Sequence, residues 1–157
     1  MQAPVDDLVT TLERVVPGWL ERCVTETAER RLGACPEPLR IQARQMAETV
    51  GPSVVAEVER LVRTDVDEQR GTPLTVLRAA VRHPTDLLSA AAVEAPHRDP
   101  FAEEHFPADR YDLSPASWSD IDPALHDPGI MWGAWKAATV IRRRRPGGDS
   151  PDAPTMT

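Results

Sequence analysis

The chain has 157 residues, a formal net charge of −7 and a sequence pI near 5.1, which fits a single domain with one core of limited size. This acidity argues against a general binder of nucleic acids or anionic membranes, and no stretch approaches the roughly 18 uninterrupted apolar residues that a membrane span requires. Because the N-terminal residues also lack the basic start and apolar run of a signal peptide, we expect a cytoplasmic protein whose two cysteines, Cys23 and Cys35, are free thiols.

The first predicted element is an amphipathic helix. Apolar residues recur from Val5 to Cys23 at the i, i+3, i+4, i+7 spacing of one helix face, and the pattern runs on to Arg31. Gly33 ends it, just after two arginines whose charge suits a helix C-terminus. Pro17 lies inside the pattern and removes a main-chain hydrogen bond, so we predict either a kinked helix or two helices that meet there.

A second helix is predicted after a turn over residues 33–38. Its apolar residues lie on one side from Leu39 to Val50, and the pair Gly51-Pro52 interrupts it. Proline at the first helical position loses no hydrogen bond, so Pro52 is expected to open a continuation that runs to Val62. Residues 65–71 then form a connection.

Two shorter helices complete the predicted bundle. The hydroxyl of Thr72 can cap a main-chain N–H and Pro73 suits the first helical turn, so a third helix is expected to begin there. His83-Pro84 is expected to end that helix and to open a fourth. The inward-facing residues of the fourth helix are expected to be Leu87, Leu88 and Ala91.

The next stretch concentrates aromatic and acidic residues. Six of the chain's seven aromatic residues lie between residues 101 and 135, and residues 94–127 carry nine Asp and Glu against two Arg. We predict that residues 96–128, named the crossing segment, form short helical turns that pack on the bundle through their aromatic rings. Prolines that follow hydrogen-bond acceptors indicate helix starts at Ser114-Pro115, Asp122-Pro123 and Asp127-Pro128. The alternative is an acidic arm that orders only on a partner.

The chain closes with a predicted terminal helix over residues 128–145, and residues 146–157 are expected to be disordered. Trp132 and Trp135 lie on one broad face of this helix. The predicted fold is therefore all-α, a helical bundle of about four to five helices. A single domain of residues 4–145 is expected to contain the bundle core at 4–94, the crossing segment and the terminal helix.

Signatures of catalysis are missing from the sequence, which contains no phosphate-binding loop, nucleophile elbow, zinc-binding pair or calcium loop. Pro107 lies between His105 and Asp109 and spoils their helical spacing, so neither a metal nor a cofactor is predicted. The residues weighed as ligands are His97, His105, Asp109, Asp112, His126 and Asp127. The alternative function is a small helical metal-binding protein or enzyme that uses His105, His126 and nearby carboxylates.

Four consecutive arginines end the predicted terminal helix: Arg142, Arg143, Arg144 and Arg145. They could bind the phosphates of a nucleic acid, but phosphates repel a net-acidic chain, and cations at a helix C-terminus compensate the helix dipole. Nucleic-acid binding through these arginines is therefore the third functional hypothesis.

The aromatic residues of the C-terminal half support the leading hypothesis, because Trp and Tyr are enriched among the residues that dominate protein interfaces. We predict a non-enzymatic cytosolic interaction or regulatory protein that docks a protein partner, or a second copy of itself. The predicted contact residues are Tyr111, Trp118, Trp132 and Trp135. The alternative for Trp132 and Trp135 is burial, since a chain with few aromatic residues needs some of them for its core.

Overall fold

The computed structural model describes residues 3–64 and 73–125. Its five α-helices are α1 (Ala3–Leu32), α2 (Glu37–Thr64), α3 (Pro73–Ala80), α4 (Arg82–Ala90) and α5 (Pro100–His105). Two 3-10 turns follow at Trp118–Asp120 and Pro123–Leu125, and these two ranges contain no strand. The predicted all-α class is confirmed. The predicted connection at 65–71, the terminal helix at 128–145 and the tail at 146–157 lie outside the described residues.

Helices α1 and α2 form a long antiparallel hairpin. The four residues 33–36 join them, and Gly33 ends α1 as predicted, with φ of 85° and an N–H that donates to Glu29 O at 2.9 Å. Ion pairs join the two helices at points along the hairpin: Arg40–Glu29 at 3.8 Å, Arg44–Glu21 at 3.8 Å and Arg63–Asp6 at 2.5 Å. The two helices therefore run side by side from the turn to the N-terminus.

Both helices continue through an internal proline, which removes one of the two alternatives for α1 and corrects the prediction for α2. Pro17 does not divide α1 into two helices, and Gly51-Pro52 does not interrupt α2. An interior proline costs about 3 kcal/mol, but each buried Val or Leu side chain along the hairpin contributes about 1.5–3 kcal/mol, so packing outweighs the lost hydrogen bonds. A Cβ atom on the buried Gly51 would lie 3.0 Å from Pro17 Cγ, so Gly51 permits the close approach of the two helices.

The core consists of two clusters, one toward each end of the hairpin. The first combines the N-terminal part of α1 and the C-terminal part of α2 with α3, Ile121 and Leu125. The second lies near the turn, where Leu88 of α4, Val93 and Tyr111 pack on Val24 and Leu39. Met46 and Leu113 contact both clusters, so the two form a continuous interior.

Helix α3 begins at Pro73, as predicted, but the break before α4 falls earlier than expected. Helix α3 ends at Ala80, and the buried Pro84 lies in the first turn of α4. This position suits proline, because N–H groups in the first turn have no partner within the helix. Leu88 is buried as predicted, whereas Ala91 is exposed, since α4 ends at Ala90 and the chain turns away.

The crossing segment contains short helical turns, as predicted, over its described part at residues 96–125. Asp122-Pro123 does begin a 3-10 turn, whereas no helix begins at Ser114-Pro115. The difference follows from their partners: Ser114 donates its N–H to Asp109 Oδ2, and the carbonyl of the buried Pro115 accepts from the side chain of Arg78 at 2.9 Å. These bonds fix an irregular backbone there.

Candidate functional site

The aspartates of the crossing segment turn toward its own main chain. Asp109 is 5% exposed, and its two carboxylate oxygens accept hydrogen bonds from the N–H groups of Tyr111 at 3.2 Å and Ser114 at 2.5 Å. Three further aspartates accept from main-chain N–H groups in the same way: Asp99 from Phe101, Asp120 from Ala116 and Ser117, and Asp122 from Ala124. Much of the local acidity is therefore structural, because these carboxylates replace the hydrogen bonds that a regular helix would supply.

Arginine side chains satisfy the carbonyl groups of the same segment. Arg98 donates to Asp112 Oδ1 at 2.6 Å and to the carbonyl oxygens of Ala102 and Phe106 at 2.7 and 2.6 Å, so its guanidinium closes the C-terminus of α5. Arg78 of α3 donates to the carbonyl oxygens of Pro115 and Ala116, and Arg22 of α1 donates to that of Ile121. The segment is thus fixed to the bundle by charged side chains at separate points.

The two predicted contact residues that the structure describes differ in burial. Tyr111 is 4% exposed and its hydroxyl donates to Val93 O at 2.7 Å, so its ring belongs to the core and offers no contact area at the surface. Trp118 is half-buried and packs against the first cluster. Trp132, Trp135 and the four arginines at 142–145 lie outside the described residues, so their roles stay predictions.

Phe101 is the aromatic residue that projects from the described surface. It is 57% exposed, more than Leu32 at 53% or Ile41 at 48%, which are the other large exposed apolar side chains of the described part of the chain. Its ring stacks on that of His105, with centroids 4.0 Å apart, and His105 Nδ1 lies 2.9 Å from Phe101 O. This stacking gives α5 a rigid apolar face, which places contact area at low entropic cost.

A cleft of about 360 Å³ separates α1 from the crossing segment beside this face. Phe101 itself lies on the rim, and Phe106 and the buried Trp19 also line the space. Along α1 the lining residues are Trp19, Arg22, Cys23, Glu26 and Arg30. The cleft therefore combines aromatic surface with charged side chains from one helix.

The two cleft arginines retain most of their hydrogen-bonding capacity. Arg22 donates to Ile121 O at 3.0 Å and Arg30 donates to Glu26 O at 3.3 Å, and neither has a carboxylate within 4.0 Å among the described residues. A guanidinium carries five donors, so each side chain can bind a further acceptor. Asp112 and Asp120, which also line the cleft, are engaged with Arg98 and with main-chain N–H groups.

The ligands weighed for a metal do not come together where the structure describes them. Residues 3–64 and 73–125 contain no group of three His, Cys, Asp or Glu side chains placed to hold an ion. His126 and Asp127 lie outside these ranges, so a site built on His105 and His126 stays a prediction. Burial raises the pKa of the Cys23 thiol to about 12, which favours its protonated form.

The sequence did not predict that Phe101 and the two cleft arginines belong to one site. A signal was present for both, since Arg22, Glu26 and Arg30 follow one another at four-residue spacing along a helix face, and Asp99-Pro100 repeats the capping pattern just before Phe101. Their proximity was not visible, because they come from elements more than 70 positions apart.

Among the described residues, no helix is long and apolar enough to cross a membrane. Comparison of the chain with protein-family models, with curated proteins and with solved structures finds no match. Functional inference therefore rests on the geometry of the cleft and of α5.

Proposed function

We propose that this protein is a non-enzymatic interaction or regulatory protein of the cytosol that docks a protein partner through its aromatic and acidic C-terminal half. The observation that carries the proposal is the exposed Phe101 ring, stacked on His105 beside a cleft with two arginines that have no carboxylate partner among residues 3–64 and 73–125. An exposed aromatic side chain beside charged groups is the composition of an interface centre.

The energetics favour docking at this place. Full burial of a Phe side chain contributes about 1.5–3 kcal/mol, and an exposed Phe forgoes much of it until a partner covers the ring. Asp112 is paired with the guanidinium of Arg98, whereas Asp99 accepts from the main-chain N–H of Phe101 and keeps its negative charge, which would favour a partner with a basic group at that point. Trp118, Trp132 and Trp135 stay predicted contacts of the same partner.

The direct test replaces Phe101 with alanine in the full chain. The wild-type protein, Phe101→Ala and the control Ile41→Ala, which removes a comparably exposed apolar side chain from α2, are each used to capture proteins from the cells that express the chain. We expect the partner to be retained by the wild-type chain and by Ile41→Ala and lost by Phe101→Ala. Affinities measured with the purified partner should then follow the same order.

The controls address folding. Because Phe101 is exposed, its alanine variant should unfold at the same urea concentration as the wild-type chain. A truncation after Ala95 is unsuitable, since it would remove Tyr111, Ile121 and Leu125 from the core. If the folded Phe101→Ala variant keeps every partner at wild-type affinity, the proposal is wrong.

A further inference from the structure

A groove of about 250 Å³ lies between α1 and α2 at their internal prolines. Because glycine has no side chain and a proline ring folds back on its own main chain, Pro17, Gly51 and Pro52 leave a notch in the surface of the hairpin. We name it the proline groove; its lining residues are Glu13, Pro17, Gly51, Pro52, Val55, Ala56 and Glu59. Apart from the two glutamates, this lining is apolar.

Both charged side chains of the proline groove are carboxylates. Glu13 is exposed and has no ion pair with any described residue, whereas Glu59 pairs with Arg63 at 2.9 Å. Among the described residues, no basic side chain lines the proline groove, in contrast to the cleft beside α5 with its two arginines. An apolar notch flanked by negative charge fits a large apolar side chain that is accompanied by a cation.

The C-terminal segment of the chain carries this combination. Residues 126–145, which lie outside the described residues, contain five Lys and Arg against one Asp, whereas the whole chain has a net charge of −7. The rest of the chain is therefore strongly acidic and attracts this segment. Trp132 and Lys136 are four positions apart, so helical spacing predicts that they share one side of the terminal helix.

The segment begins close enough to reach the proline groove. Leu125 is fully buried in the first cluster, and its 3-10 turn contacts α1. Val55 belongs to the same cluster and also lines the groove. The seven residues from Leu125 to Trp132 can span about 23 Å, which exceeds the half-circumference of a helix that is about 10–12 Å wide. The chain can therefore pass around α1 to the groove.

We infer that the C-terminal segment docks on its own hairpin, with the Trp132 ring in the proline groove and Lys136 beside Glu13 and Glu59. The groove has room for the ring, since a cavity of about 150 Å³ holds benzene. A short tether also supplies the segment at an effective concentration in the millimolar range, which favours it over a separate molecule. This contact covers Trp132, so a partner reaches that residue only when the segment leaves the groove.

Carbodiimide cross-linking tests the contact, because Lys136 is the only lysine of the chain. The reagent joins an amine to a carboxylate that touches it, so each link from Lys136 identifies a neighbouring acidic residue. In the full chain, we expect mass spectrometry to find Lys136 joined to Glu13 or Glu59. A mixture of isotopically labelled and unlabelled chains distinguishes links within one chain from links between two copies.

Two variants remove the proposed fit. Trp132→Ala deletes the ring, and Ala56→Phe fills the proline groove from an exposed position. Each should lower the yield of the link at least about tenfold, since burial of a large side chain changes an equilibrium constant by that factor or more. Ile130→Ala is the matched control, because two positions place Ile130 on nearly the opposite side of the predicted helix. It should keep the wild-type yield.

Four outcomes overturn the inference: no link from Lys136, links only to other carboxylates such as Glu103 and Glu104, links only between two copies, or a wild-type yield in Trp132→Ala. Circular dichroism and urea unfolding check that each variant folds, and Trp132→Ala decides if Ala56→Phe does not. The inference goes beyond the docking proposed at Phe101 and does not rest on it. The capture experiment decides that proposal separately, whichever link is found.

Discussion

The α1–α2 hairpin and the crossing segment reach a defined structure by different means. The hairpin buries a periodic series of apolar side chains, among them Leu8, Leu12 and Leu20, each 0% exposed. The crossing segment buries few large side chains and instead satisfies its main chain with carboxylates and guanidinium groups, as Asp109 and Arg98 do. Stability of the hairpin therefore depends on buried apolar area, and stability of the crossing segment depends on individual hydrogen bonds.

The largest effect is expected from a cavity in the hairpin. Leu12→Ala removes a fully buried side chain of α1 and should lower the free energy of unfolding by about 2–5 kcal/mol. Because both regions share the first cluster, hydrogen exchange should accelerate in the hairpin and the crossing segment alike. Urea unfolding measures the loss, with Thr10→Ala at an exposed position of the same helix as the control. A loss below about 1 kcal/mol would contradict a packing-dominated hairpin.

A change to one carboxylate should affect the crossing segment more than the hairpin. In Asp109→Asn one oxygen becomes an NH₂ group that cannot accept, so the N–H of Tyr111 or of Ser114 loses its partner. We expect a loss of about 1–3 kcal/mol and faster hydrogen exchange over residues 111–114, with α1 little changed. Asp86→Asn on the exposed side of α4 is the matched control. Equal acceleration of hydrogen exchange in the hairpin and in the crossing segment would contradict the expectation that single hydrogen bonds matter more in the crossing segment.

Removal of a single hydroxyl should have a smaller effect. Tyr111→Phe keeps the ring in the second cluster but leaves Val93 O without its donor, which should cost about 0.5–1.5 kcal/mol by urea unfolding. Since Tyr111 is buried, the substitution should leave partner capture unchanged. A variant that folds normally but loses a partner would return Tyr111 to the docking surface.

The last effect is absent at neutral pH and concerns the thiol of Cys23. Burial raises its pKa to about 12 from the ordinary value of 9.0, so above pH 9 the unfolded chain releases a proton that the folded chain retains. Stability due to this group is therefore full below pH 9 and declines as the pH rises toward 12. Between pH 8 and pH 10 the wild-type chain should lose about 1 kcal/mol more than Cys23→Ala. Equal losses would mean that the thiol is not desolvated.

The hairpin was largely predictable, because helical spacing of apolar residues reports burial wherever packing dominates. The exceptions were Pro17 and Pro52. There the tendency of an interior proline to interrupt a helix was outweighed by contacts between α1 and α2, which no single stretch of sequence contains. In the crossing segment, capping patterns predicted the turn at Asp122-Pro123. They failed at Ser114-Pro115, since the partner Arg78 lies 37 positions away from Pro115.

The candidate site was less predictable than the fold. The density of aromatic and acidic residues favoured the C-terminal half of the chain, but composition does not reveal which of these residues are buried and which are exposed. Tyr111 is in the core and Phe101 is outside, although both are aromatic residues of the same acidic stretch. Arg30 was not a predicted site residue, because it belongs to a helix whose sequence predicts only a bundle element. The fold alone brings it to the site.

The hydrogen bond from Arg22 to Ile121 O joins residues 99 positions apart, and it implies an order of folding. The hairpin closes through a turn of four residues, so most of its contacts form at little cost in chain entropy, whereas the crossing segment must return across almost the whole described chain. Since synthesis proceeds from the N-terminus, the hairpin can assemble while residues 96–125 are still being made. We therefore expect that the cleft is completed last, only after residues 96–125 have left the ribosome.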